Sequence, residues 1–195
     1  MGCGKNGTFD KKPDLHQWVI LSNLDETPMT NPTVDGLLMS IHPFIKHWLC
    51  LLGKETFIII LKPVAGHGKW DGQAAFGKIE GTLPEVGRIA TLTRATIRLN
   101  KLKYFWNHVA PVANKMTTAK GFVFSLGIGE IPWVKQATFS IWDSVADMKA
   151  FAYGMREHQE VIKKTRKENW YSEDMFVRFT VEASYGQLHG SNPLK

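Results

Sequence analysis

The order in which the chain changes its hydrophobic period limits its fold more than any other feature. Residues 88–98 alternate with period two, as a strand does, and Leu102, Phe105, Trp106 and Val109 then fall on one helical stripe within 101–115. Strands follow at 121–126 and 135–142, with a turn predicted between them at Gly127 and Gly129, ahead of Pro132. Ser144 and Asp147 have the spacing of a capping box, in which the hydroxyl satisfies an orphan N–H at a helix start. A helix is predicted from there through Ala152, interrupted at Gly154 and resumed to Lys167, and 174–181 is the last strand. The resulting order, βαββαβ, is the ferredoxin-like unit, so the chain is expected to be α+β.

The first half is less regular. Residues 1–15 read as a loop, 17–22 as a short strand, and 25–35, with Pro28 and Pro32, as a connection. A helix is expected within 36–52, with Pro43 near a break or a start, then a strand at 56–61 and an irregular stretch over 65–86. A weak echo links the halves. Gly2-Cys3-Gly4, the Gln17 strand, His42 and the strand from Thr56 recur in order as Gly127-Ile128-Gly129, the Gln136 strand, His158 and the strand from Met175. The expectation is a partial, N-terminally shortened first repeat with its connector over 1–86, a complete repeat over 87–185 and a tail over 186–195, packed as a single domain. A shortened first repeat leaves a sheet edge, which favours a homodimer.

Composition narrows the function classes. With 195 residues, 44% hydrophobic and 22% charged, the chain can bury a core. The net charge of +6 is scattered; its densest run, Lys163-Lys164-Thr165-Arg166-Lys167, carries acids nearby and reads as a solvated helix face, against nucleic-acid binding. The two cysteines, Cys3 and Cys50, make neither a disulfide framework nor a metal pair. No apolar run approaches the ~20 residues of a membrane span, and no secretory leader is read at the start. Asn6 stands where a myristoylation motif needs Ser or Thr. A cytoplasmic protein, with peripheral membrane contact as an option, is expected. The Gly2-x-Gly4-x-x-Gly7 pattern has no strand before it, so a dinucleotide site is rejected. The 7 Trp and 11 Phe suit a core or a pocket for a large apolar ligand.

Several blocks together resemble the spheroidene monooxygenase family. They are Ala90-Thr91-Leu92-Thr93-Arg94-Ala95-Thr96-Ile97-Arg98, Gly127-Ile128-Gly129-Glu130-Ile131-Pro132, Gln136-Ala137-Thr138-Phe139-Ser140-Ile141-Trp142-Asp143-Ser144, Phe151-Ala152-Tyr153, His158, Thr165-Arg166, Trp170 and Phe176-Val177-Arg178-Phe179. Gly68-Lys69-Trp70-Asp71-Gly72 and Phe76 extend the likeness into the first half. The resemblance implies a dimeric α+β barrel. It also implies a haem b (iron) oxygenase that puts a keto oxygen into an acyclic carotenoid, using O₂ and electrons from a reduced ferredoxin. Two other readings stand beside it: a haem- or apolar-ligand-binding barrel without turnover, and a cofactor-free monooxygenase of the same superfamily.

Under that resemblance, His158 is the expected iron ligand. It shares a helical stripe with Val161, Ile162 and Thr165, where a core histidine is the alternative. His42 and His108 rank next, and His67 is expected at the surface of a glycine-rich loop. Arg94, Thr96 and Arg98 share one strand face; Arg94 and Arg98, with Arg178, are candidates for haem propionates, and Arg94 also for donation to bound oxygen, against a solvated sheet face. Phe151, Trp142 and Trp170 are candidate walls for a polyene, with plain core packing as the alternative.

Overall fold

The fold is built around one strand that is hydrophobic on both sides. In β4 (Ile89–Ile97), Ile89, Ala90, Leu92, Ala95 and Ile97 are all buried, which fits a central position in the sheet. The computed structural model describes residues 2–3, 9, 11–22, 43–52, 55–154 and 156–195; the side chains of 2–3, 45–46, 49–50, 52, 109–114 and 156–158 lie outside the description. Among the described residues the strands are β1 (Gly2–Cys3), β2 (Pro13–Asp14), β3 (Phe57–Gly68), β4, β5 (Phe122–Ile131), β6 (Lys135–Trp142) and β7 (Tyr171–Gly186). The helices are α1 (Pro43–Leu52), α2 (Leu102–Met116), which follows a 3₁₀ turn, α3 (Val145–Gly154) and α4 (Arg156–Lys167).

The strand order is β2-β1-β5-β6-β4-β7-β3. Within it, β4-α2-β5-β6-α3α4-β7 is the predicted βαββαβ unit. Its strands lie in the ferredoxin-like order with antiparallel pairs β5–β6, β6–β4 and β4–β7. The chain divides into two compact units, Met1–Val19 with Leu61–Val181, and Ile20–Ile60 with Glu182–Lys195. In the second unit Glu55 accepts from the amides of His189 and Gly190 at 2.8 and 2.7 Å. There Gly186 sits at φ +78°, where a Cβ would lie 2.0 Å from the Thr56 carbonyl oxygen, so only glycine fits.

The first unit has three layers. Helices α2 and α3 cover one sheet face: Met116, Met148 and Phe151 pack with Ile89 and Trp142 in one cluster. Phe105 and Trp106 of α2 pack with Ile97, Trp170 and Phe9 in a second. Ala90, Leu92, Arg94, Phe139, Ile141, Met175, Val177 and Phe179 bury the opposite face. The stretch after β3, expected to be irregular, lies against that face. Phe76 meets Phe179 edge-on at 5.2 Å, and Trp70 lies 5.0 Å from the Arg94 guanidinium.

Three local expectations change. Gly127 and Gly129 are not a turn but lie inside β5, opposite Thr138 and Gln136; the turn comes at 132–134, with Trp133 at φ +65°. Residues 17–22 are not part of a strand; they follow local hydrogen bonds from the His16 amide to Asp14 and from the Trp18 indole to Leu15. The strand expected at 56–61 continues to Gly68, which places His67 on β3 and not in a loop. Of the helix expected within 36–52, the part before Pro43 lies outside the described residues, as does His42.

Candidate functional site

The middle of the helix-covered face carries polar side chains, and one of them is exposed. On β4 the residues facing the helices are Ile89, Thr91, Thr93, Ala95 and Ile97, alternating with the buried set opposite. Ile89 and Ile97, at the ends, belong to the two separate aromatic clusters. Between them Thr93 is exposed although it lies on a central strand with both neighbours buried. Its cross-strand partners, Thr138 of β6 and Phe176 of β7, are half-buried, and Gly127 continues the same row on β5 without a side chain.

The adjacent row crosses four strands as Ser125, Ser140, Thr91 and Arg178. Thr91 and Ser140 are buried, with their hydroxyl oxygens 2.8 Å apart, and the Trp142 indole N–H donates to Ser140 Oγ at 3.0 Å. Arg178 Nη2 donates to the Tyr153 hydroxyl at 3.2 Å, and the guanidinium lies 4.8 Å from the Phe176 ring. Its Nε is buried and meets no acceptor from the chain, which is uncommon for a buried donor.

Arg94 lies on the other face, fully buried. Its Nε and Nη2 grip both oxygens of Glu130 at 2.8 and 2.9 Å; Nη1 reaches Glu173 at 2.7 Å, and Nη2 reaches Asp71 at 2.8 Å. Burial works against its charge, but hydrogen bonds from Glu130 and Asp71 outweigh that and hold the guanidinium well above its ordinary pKa. Asp71 and Gly72, both at positive φ, form a two-residue turn between the paired Trp70 and Gln73. Glu173 accepts from the amides of both turn residues, at 2.8 and 2.7 Å. Those amide bonds, that of Gly72 first, hold its carboxyl below the usual range against a smaller effect of burial. Lys135, at 2.7 Å, and then Arg94 do the same for Asp71. This geometry makes Arg94 the pin of a latch between turn and sheet, where the sequence reading had it facing a ligand.

The other expected residues fall in several places. Arg98 is exposed at the end of β4 and donates to the Tyr171 carbonyl at 3.2 Å. Trp142 and Phe151 come together, with ring centroids 5.0 Å apart, as core at one end of the polar band. Trp170 is core at the other end; its indole donates to Glu168 at 2.8 Å, and His108 lies against it at 5.3 Å. His158 stands in the first turn of α4, its side chain outside the described residues. Thr91, Thr93 and Tyr153 are not singled out as site residues by the sequence, whereas Thr138 and Ser140 share one strand face there with Gln136 and Trp142. The signal was present as hydroxyls at two-residue spacing on β4 and β6, but only the register shows that they join.

The described residues fit part of a haem site. Arg178 offers a buried donor suited to a propionate-like anion, whereas Arg94 and Arg98 are engaged by the chain itself. Among the described residues no group of three or more His, Cys, Asp and Glu is arranged to hold a free metal ion. His67 lines a cavity of about 140 Å³ with Phe76, Ile79, Met175 and Val177. That is below the ~300–1,000 Å³ of ordinary small-molecule sites and too small for a porphyrin.

Over 195 residues, 99% of this chain, it is 33% identical to the spheroidene monooxygenase of Rhodobacter capsulatus and covers 78% of that protein. The chain belongs to the spheroidene monooxygenase family. Its identity to the spheroidene monooxygenase of Cereibacter sphaeroides is also 33% over 195 residues, and there it spans 58% of the relative's length. A third such enzyme, from Rubrivivax gelatinosus, is 40% identical over 126 residues, 65% of this chain and 47% of its own. No model of a known protein family matches the chain. Among solved structures, a cofactor-independent oxygenase of Streptomyces nogalater aligns with a TM-score of 0.42 and 13% identity, over 50% of this chain and 95% of its own. Protein SO0527 of Shewanella oneidensis aligns with a TM-score of 0.38 and 12% identity, over 54% of this chain and 95% of its own.

Proposed function

We propose that the chain acts as a monooxygenase of the spheroidene type, converting a methylene of an acyclic carotenoid into a ketone. The observation that carries this reading is the 33% identity running along 99% of the chain to an enzyme of that name. The geometry agrees in kind. A polar band with hydroxyls and one guanidinium lies between two aromatic clusters, so one reacting carbon of an otherwise apolar substrate has polar groups to meet. A methylene becomes a ketone by two successive oxygen insertions with loss of water, consuming two O₂ and four electrons, for which a reduced ferredoxin is the proposed source. Haem b is the proposed cofactor: His158 would hold its iron, Arg178 would meet a propionate, and the group would supply oxygen activation. Arg94, pinned among its own carboxylates, is no longer in the proposed site.

The test is an absorption spectrum of the chain purified with haem, followed by turnover with an acyclic carotenoid, O₂ and reduced ferredoxin. A Soret band that weakens in His158→Ala, together with keto product, is expected. Absence of both the band and the product overturns the proposal. A colourless chain that still oxygenates substrate overturns the haem assignment alone.

A further inference from the structure

Two hydrogen-bond donors in one cross-strand row on the helix-facing side of the sheet meet no acceptor from the chain. One is Arg178 Nε, buried and unpartnered. The other follows from counting protons around Ser140. The Trp142 N–H and one hydroxyl proton satisfy the two contacts at Ser140 Oγ, leaving the other hydroxyl proton of the Thr91–Ser140 pair to donate elsewhere. Thr91 and Arg178 are directly opposed in the β4–β7 register, which puts their Cβ atoms about 4.5–5.5 Å apart on the helix-facing side. One small group can therefore receive both donors.

We infer that Arg178 and the Thr91–Ser140 pair form a receptor for the carboxylate of an apolar organic acid. An anion is the matching chemistry because a guanidinium N–H withdrawn from water is best answered by a charged acceptor. The remainder of the ligand is apolar: Trp142 and Phe151 stand at one end of the band and the Phe176 ring beside the guanidinium. Thr93, one row along on the same face, is exposed. This receptor shares Arg178 with the haem reading, in which a propionate is the proposed partner of the same donor; it needs no carotenoid, which carries no carboxylate, and it stands or falls on binding and not on turnover.

The test is calorimetric titration of the full chain with 3-phenylpropionate, 3-phenylpropanol and acetate. 3-Phenylpropionate is expected to saturate the chain, with the alcohol and acetate each at least tenfold weaker. Arg178→Met is expected to weaken 3-phenylpropionate about tenfold or more, and Thr91→Val, which keeps shape and loses the hydroxyl, several-fold. Arg178→Lys serves as a second variant that keeps the charge without the Nε geometry, and is expected to bind more weakly than the parent. Equal binding by parent and Arg178→Met, each confirmed folded by circular dichroism, would falsify the receptor. So would absence of saturable 3-phenylpropionate binding. Equal affinity for acetate overturns the apolar part of the ligand, and equal affinity for the alcohol overturns the charged part.

Discussion

At the scale of single residues, the two arginines of the sheet have opposite roles. Arg94 holds three carboxylates while fully buried, so removing it leaves Glu130 and Glu173 without their cation and Asp71 with Lys135 alone. Arg94→Ala is expected to lower stability in urea unfolding, by less than the roughly 3–5 kcal/mol of a fully buried pair, because the carboxylates left behind are partly exposed. The latch also has a pH signature. Glu173 and Asp71 are both held below the ordinary carboxylate range, so in acid the folded state binds fewer protons than the unfolded one. Their contribution is complete above the unfolded value of about 4 and is lost as pH falls through the lower folded values. Glu173→Gln should therefore flatten the acid limb of a thermal-melting profile while also lowering stability near neutrality; an unchanged acid limb would count against the latch. Sequence alone showed that Arg94, Thr96 and Arg98 share one side of a strand. It did not show which side the helices take, because alternation is symmetric about the sheet. That is why Arg94 was expected at a ligand and Arg178 now carries the unpartnered donor.

At the scale of elements, legibility followed the strength of local chemistry. The bounds of β6 coincide with the stretch of alternation, and the Ser144 box is present: Ser144 Oγ accepts from the Asp147 amide at 3.0 Å and donates to its carboxylate at 2.6 Å. Ser144→Ala is expected to lower stability by about 1 kcal/mol, read as a shift of the unfolding midpoint, with Ser144→Asp recovering most of it. β5 was harder, because glycine is a turn signal when read along the chain. Gly127 and Gly129 sit in β5 because their neighbour β6 supplies the hydrogen bonds, a non-local cause. Their lack of side chains keeps the floor of the polar band low beside Thr138. A feature that misled the local reading thus belongs to the candidate site.

At the scale of the first unit, one sheet separates two independent pieces of construction. Its helix side holds the polar band, and its other side holds the latch and the cover formed after β3. The alternation that puts Arg178 on one face puts Glu173 on the other, and the two are five residues apart along β7. Five residues of strand span roughly 17 Å, beyond the range at which substitutions usually couple. Glu173→Gln and Arg178→Met should accordingly act separately: the first lowers the urea midpoint and leaves 3-phenylpropionate affinity alone, the second does the reverse. The double variant is expected to show the sum of the single stability changes to within about 0.5 kcal/mol. A coupling well beyond that, or a loss of affinity in Glu173→Gln as large as in Arg178→Met, would mean that the latch shapes the receptor through the sheet.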